Sequence, residues 1–298
     1  FRSARYFLSR LKLDGALTFS EGKLEMKLTT DALGLRQRPG GEPPAEALRV
    51  VVLGDSIAFG LGLGDAETLA AQLEPRLARA LGGRPVACFT VAVPSWNATN
   101  AWRFLLDHLD RLRPDIVLYL PVDNDLEDGY GVNEAGQRRT DEDATSALPL
   151  LHVRPAFGYL VLRTKELRAA GDDPTGRLGP EALPAGLSAL SRARYAGIAR
   201  TLAHGAARLA RLDARLALVP YEQSEFHREL AAELARHGLD LPTIPLLGAL
   251  LPDDRLRVDP HPSAETVGAF ASWIARSLFE LGWLPPGVRA AFEFRHAS

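Results

Sequence analysis

The fold class follows from one segment, Arg49-Val50-Val51-Val52-Leu53-Gly54-Asp55-Ser56. Its run of valines and a leucine predicts a short strand that is buried on both faces, as strands of parallel sheets are. Gly54 ends the strand, so the polar residues Asp55 and Ser56 come directly after its carboxyl end. Ligands of open parallel sheets bind beyond that end of the strands.

The rest of the chain alternates apolar strands with amphipathic helices. Further strands are predicted at 85–93, 115–122 and 216–221. Helices are predicted at 66–81, 98–112, 192–212, 224–237 and 264–281. Strands joined by helices of this length form βαβ units around a mainly parallel sheet. We therefore predict an α/β fold with three α/β/α layers.

Two regions do not fit this alternation. Residues 1–45 carry the period-two pattern of short antiparallel strands at 11–13, 17–19 and 24–28, followed by a Pro- and Gly-rich stretch. We expect a strand-rich N-terminal extension and linker there, and a single domain over 46–298. Residues 126–190 form an insertion with one helix at about 159–170, a length typical of lids and substrate-binding segments.

Composition limits the classes of partner. The 35 basic and 37 acidic residues give a net charge of −2, which does not favour a nucleic-acid partner. Cys88 is the only cysteine, so no intrachain disulfide can form, and no apolar run is long enough to span a bilayer. The chain begins at Phe1, which is compatible with an export signal or a membrane anchor removed upstream. A cytoplasmic location is the alternative. The sequence does not determine the oligomeric state.

Polar residues capable of chemistry follow three of the predicted strands. They lie at 54–56, 94–97 and 123–125, and a fourth group, 258–262, lies just before the last helix. The carboxyl ends of parallel strands meet at one edge of the sheet, so these groups are expected to converge.

The same segments resemble the motifs of the SGNH/GDSL hydrolases. Residues 51–60 resemble the first motif of that family, Asn124-Asp125 its third block and Asp259-Pro260-His261-Pro262 its last. Residues 30–36 resemble a segment that precedes the domain in some bacterial members. The resemblance implies the flavodoxin-like SGNH-hydrolase fold and a serine esterase that needs no cofactor or metal.

The resemblance also implies a role for each residue. Ser56 would be the nucleophile and His261 the base that takes its proton, while Asp259 orients the imidazole. Many members have this acid three residues before the histidine, where Val258 stands here. The oxyanion donors would be the backbone N–H groups of Ser56 and Ser95 and the side-chain amide of Asn124.

The residues at and near the proposed oxyanion donors bear on the size of the substrate pocket. Family members usually have glycine at the positions of Ser95 and Val122, so the pocket here is expected to be narrower or to take other substrates. Trp96 is either a wall of the substrate pocket or a packed core aromatic.

The sequence favours hydrolysis of an O-acyl ester, with a short acyl group such as acetyl on a carbohydrate or another small molecule. The reaction would pass through an acyl-Ser56 intermediate. An O-acyltransferase that uses the same residues on a glycan acceptor is an alternative, and so is a non-catalytic binding protein of the same fold.

Two other ligand motifs are rejected. Residues 60–64 lack the last glycine of a dinucleotide fingerprint, because Asp65 stands in its place. The acidic residues from Asp123 onward do not form a calcium loop, because Asp128 occupies the position of the sharp-turn glycine.

Overall fold

A computed structural model describes residues 15–21, 24–94, 96–126, 130–132, 138–140, 185–221, 225–246 and 261–284. The strands are β1 (Gly15–Glu21), β2 (Leu24–Thr30), β3 (Leu48–Gly54), β4 (Val86–Ala92), β5 (Ile116–Tyr119), β6 (Tyr130–Val132), β7 (Arg138–Thr140) and β8 (Arg215–Leu218). The helices are α1 (Ser56–Phe59), α2 (Leu69–Ala80), α3 (Ala98–Asp107), α4 (Leu109–Leu112), α5 (Ala185–Ala210), α6 (Glu225–Arg236) and α7 (Ala264–Glu280). Two short 3-10 turns lie at Asp65–Glu67 and Asp123–Leu126.

The central sheet has four parallel strands in the order β4-β3-β5-β8. Strand β3 comes first along the chain, β4 adds on one side of it and β5 on the other. The order therefore reverses beside β3, and in doubly wound sheets such a switch point opens a crevice at the carboxyl ends of the strands. Ser56 follows β3, so the fold places it at this crevice.

Helices cover both faces of the sheet, as the apolar run of β3 predicts. Val50 and Val52 belong to one core cluster with residues of α2 and α7, whereas Val51 and Leu53 belong to a second cluster with residues of α3, α5 and α6. All four side chains are fully buried. The predicted three-layer α/β/α fold with a parallel sheet is confirmed.

Some predicted elements are shorter or broken. The helix predicted at 98–112 is interrupted at His108, whose backbone leaves helical geometry, and resumes as α4. The strands predicted at 115–122 and 216–221 end at Tyr119 and Leu218, each two residues before a proline, because proline has no N–H for the ladder. The helix predicted at about 159–170 lies outside the described residues.

The N-terminal strands form an antiparallel hairpin in which Gly15 pairs with Thr30. The strands predicted at 17–19 and 24–28 lie within this hairpin, and the one at 11–13 lies outside the described residues. Leu28 and Leu35 are buried in the two core clusters of the sheet. Residues 28–36 thus pack against the domain expected to begin at residue 46. Within the described ranges, no helix combines the length and the hydropathy needed to cross a bilayer.

Candidate active site

The turn from β3 into α1 holds Ser56 in a fixed place. A Cβ at Gly54 would lie 3.0 Å from Ala58 Cβ and 3.1 Å from the carbonyl oxygen of Leu120, so glycine lets the first turn of α1 pack closely on the sheet. Asp55 caps α1, and its Oδ1 accepts a hydrogen bond from the N–H of Ile57 at 3.0 Å. Ser56 is the first residue of the helix.

His261 reaches Ser56 from the other end of the chain. It lies just before α7, whose first turn is capped by the side chain of Ser263. The Nε2 atom of His261 is 2.8 Å from Ser56 Oγ, and both residues are half-buried. An imidazole nitrogen at this distance can take the hydroxyl proton. The two residues therefore have the geometry of a nucleophile and its base.

The Ser56 hydroxyl has a second neighbour. Its Oγ is 3.2 Å from Asp55 Oδ2, a longer contact than the one to His261. A hydroxyl donates only one hydrogen. Asp55 can therefore hold the serine in a resting orientation, while the shorter contact to His261 is the one that leads to attack.

The 3-10 turn after β5 is built around a buried carboxyl group. Asp125 Oδ2 accepts hydrogen bonds from Tyr119 Oη at 2.6 Å and from the N–H of Val122 at 3.0 Å. Burial raises the pKa of Asp125 to about 8, against the lowering effect of the hydrogen bond from Tyr119. Burial also raises the pKa of Tyr119. These contacts fix the turn that contains Asn124.

The structure describes only some of the predicted site residues. It places Ser56 and His261 together, and the backbone of Asn124 in the Asp123–Leu126 turn. Ser95, Asp259 and the side chain of Asn124 lie outside the described residues. Trp96 is fully buried and packs against Phe104, with 5.3 Å between ring centroids, which favours the core aromatic over the pocket wall.

Two supporting residues were missed at the level of sequence. Asp55 has a detectable signal, because aspartate directly before an apolar helix start is a common N-cap. The burial of Asp125 had no local signal, because the neighbouring acidic residues suggested a solvated loop. In the part of the chain that the structure describes, no group of three or more His, Cys, Asp or Glu residues is arranged to hold a metal ion.

Comparison with known proteins finds similarity only at the level of structure. No protein-family model and no curated protein sequence matches this chain. Among similar solved structures, the psychrotrophic esterase EstA from Pseudoalteromonas sp. is 12% identical, with 78% of this chain and 97% of that chain covered and a TM-score of 0.44. A GDSL-like lipase from Bacteroides thetaiotaomicron is 11% identical, with coverages of 81% and 92% and a TM-score of 0.40.

A third solved structure is AlinE4, an SGNH-hydrolase family esterase. It is 19% identical, with 81% of this chain and 99% of that chain covered and a TM-score of 0.40. The chain is thus similar to solved structures of the family whose motifs its sequence resembles. Identities and TM-scores this low describe a distant likeness of the fold and carry no conclusion about the reaction.

Proposed function

We propose that this chain is a serine esterase of the SGNH/GDSL type, with Ser56 as nucleophile and His261 as general base. The observation that supports this most is the 2.8 Å contact between Ser56 Oγ and His261 Nε2. These residues are separated by 205 positions in the sequence, so only the fold brings them together. Their contact lies at the crevice of the parallel sheet, where this class of fold binds ligands.

The reaction follows from this pair. Ser56 Oγ attacks the ester carbonyl carbon as its proton passes to His261 Nε2, which gives a tetrahedral oxyanion. The C–O bond to the alcohol then breaks, and His261 returns the proton to the departing alcohol oxygen. Water attacks the acyl-Ser56 ester in the second half, with His261 again taking the proton, and releases the carboxylic acid.

The backbone N–H of Ser56 supports an oxyanion role. The first N–H groups of a helix have no acceptor within it. In α1 the Asp55 carboxylate caps the N–H of Ile57, which leaves the N–H of Ser56 for a ligand. We infer that it is one oxyanion donor, and that the backbone N–H of Ser95 and the side-chain amide of Asn124 are the other two.

The acid of the triad is proposed to be Asp259. It lies two residues before His261 in the sequence and would hold the neutral imidazole with its proton on Nδ1. Nε2 is then free to accept, as attack by Ser56 requires. An Asp259→Asn variant should therefore lose part of the rate, and a silent variant would assign the role to another carboxylate.

The proposed substrates are small O-acyl esters, in particular acetyl or other short acyl groups on carbohydrates. The test is a panel of p-nitrophenyl esters of increasing acyl length and of acetylated glycans. We expect hydrolysis by the wild type and a loss of about 10³-fold or more in Ser56→Ala. Ser272→Ala is the matched control, because Ser272 lies on α7 and bonds Arg76. It should retain the wild-type rate.

The same panel separates the alternatives. Acyl release that requires an added glycan would assign an acyltransferase, with a sugar hydroxyl in place of water. A well-folded Ser56→Ala protein that keeps its esterase activity would contradict the mechanism, and a wild type that releases no acyl group from any ester would favour a binding protein.

A further inference from the structure

A buried arginine from the N-terminal segment contacts the end of the helix that begins with Ser56. The side chain of Arg36 is 1% exposed, although its guanidinium is charged. Its Nη1 donates to the carbonyl oxygens of Phe59 at 3.2 Å and Gly60 at 3.0 Å, and its Nη2 donates to the carbonyl oxygen of Leu63 at 2.8 Å. The last carbonyls of a helix have no N–H donor within it, so the guanidinium supplies a donor to the carbonyl oxygen of Phe59 and adds a second one at Gly60, which also accepts from the N–H of Leu63.

Asp65 completes the contact and ties it to strand β2. Its Oδ1 accepts from Arg36 Nη2 at 2.9 Å and from Nε at 3.3 Å. Its Oδ2 accepts from the N–H of Thr29 at 2.9 Å and from the Thr29 hydroxyl at 2.7 Å. Both carboxylate oxygens thus join the N-terminal segment to the turn that follows α1.

The segment that carries Arg36 is itself well ordered by local bonds. Asp31 Oδ1 accepts from the N–H groups of Leu33 at 2.8 Å and Leu35 at 3.1 Å, which closes a tight turn. Thr30 and Arg36 pair across this turn as an antiparallel bridge. The side chain of Leu35 is buried in the core. Arg36 therefore projects from a rigid base rather than from a loose linker.

Stability alone does not explain this arrangement. Burial lowers the pKa of Arg36, which shows that the surroundings disfavour its charge, and Asp65 acts in the opposite direction. Buried ion pairs are often matched or exceeded in stability by apolar residues of similar volume, because of the cost of desolvating the charges. An apolar side chain cannot, however, hold three carbonyl groups in fixed positions. The contact is therefore suited to setting geometry.

We propose that Arg36 is a positioning residue for Ser56. It fixes the end of α1, one helical turn from Ser56, and so keeps Ser56 Oγ within hydrogen-bond distance of His261 Nε2. Asp65 holds the guanidinium in place. This role rests on the proposed function of Ser56 as the nucleophile, and it makes residues 29–36 part of the catalytic domain.

The test compares the rate at which a fluorophosphonate labels Ser56 in the wild type and in Arg36→Lys. Lysine keeps the charge, but its compact ammonium cannot reproduce the planar fork that bonds three carbonyls and Asp65. Displacement of a reacting group by about 1 Å costs on the order of 10²-fold in rate, so we expect labelling and kcat to fall by about 10- to 100-fold, with KM changed by less than about twofold.

Arg38→Lys is the matched control. Arg38 comes from the same segment and its side chain is 10% exposed, but it pairs with Glu74 of α2 at 2.6 Å instead of contacting α1. Its variant should be labelled within about twofold of the wild-type rate. Rates are measured well below the thermal unfolding midpoint of each protein, so that lost structure and lost positioning are separated.

Chemical rescue adds a readout that a purely structural role would not move. Millimolar guanidinium should restore labelling in folded Arg36→Ala, by filling the space of the missing group, and should leave Arg38→Ala unchanged. If Arg36→Ala is folded and is labelled slowly, and guanidinium does not restore the labelling rate, the positioning role is contradicted.

The remaining outcomes are also decisive. A folded Arg36→Lys protein that is labelled at the wild-type rate overturns the inference. If Arg36→Lys does not unfold cooperatively, Asp65→Asn replaces it in the test, because this variant removes the carboxylate that holds the guanidinium. A severalfold lower rate of Ser56 labelling in Asp65→Asn supports the inference, and an unchanged rate overturns it. If the wild type is not labelled at Ser56, the proposed function fails and this inference fails with it.

Discussion

The buried carboxyl group of Asp125 makes the stability of this protein depend on pH in a direction that can be worked out. The pKa of Asp125 is raised from 3.8 to about 8 in the folded state. Between these values the folded protein holds a proton that the unfolded chain has released. The contribution of Asp125 to the free energy of unfolding is therefore complete below pH 3.8. It falls by about 1.4 kcal/mol per pH unit as the pH rises towards 8.

The change that isolates this group is Asp125→Asn. The carbonyl oxygen of asparagine can accept from Tyr119 and Val122 as Asp125 Oδ2 does, whereas its amide nitrogen cannot accept from the N–H of Ala98. The loss of that bond lowers stability by an amount that does not change with pH, because the amide does not titrate. Over the range from about pH 5 to about pH 7.5, the wild type should lose about 3 kcal/mol of unfolding free energy relative to the variant. The measurement is urea denaturation at several pH values, with linear extrapolation to water.

Asp123→Asn is the control for this comparison. Asp123 lies in the same turn and undergoes the same chemical change, but its side chain is exposed. It should follow the wild-type profile. If the difference between Asp125→Asn and the wild type stays constant within about 0.5 kcal/mol across the range, Asp125 is not held protonated and the reasoning is refuted.

Three glycine substitutions test the packing around the site. In α5, the methyl group of Gly205→Ala would overlap the ring of Trp102, so this variant should lower the unfolding free energy by about 3 kcal/mol in thermal denaturation. Gly197→Ala in the same helix meets no atom nearer than 4.0 Å and should raise the unfolding free energy by about 0.5–1 kcal/mol. Equal effects would contradict the packing of α5. Gly54→Ala places a methyl 3.1 Å from the carbonyl oxygen of Leu120, so α1 must move by a few tenths of an ångström and kcat should fall by about tenfold. Unchanged kcat in this variant would mean that α1 tolerates the shift.

The sheet and its layers were predictable because their signal is local. The apolar run of Val50–Leu53 has no polar face, and this requires helices on both sides. Strand ends were less predictable, since hydrogen bonds to neighbouring strands decide where the ladder stops. The break at His108 was not visible in the sequence, because the amphipathic spacing continues through it.

The site was predictable in part and for a different reason. The order of the motifs pointed to Ser56 and His261, and the contact between them depends on the parallel sheet that brings their loops to one edge. Trp96 could not be assigned from sequence, because the direction of its side chain depends on the packing of α3. The contacts of Arg36 span 23 to 29 positions in the chain and leave no periodic pattern.

The Ser56–His261 pair is tested most directly by locating the covalent adduct of a fluorophosphonate by peptide mass spectrometry, in the wild type and in His261→Ala. We predict a single adduct on the peptide that contains Ser56, and labelling slower by about 10³-fold in His261→Ala. An adduct on a different residue, or equal labelling in a folded His261→Ala protein, would contradict the assignment of Ser56 and His261 as nucleophile and base.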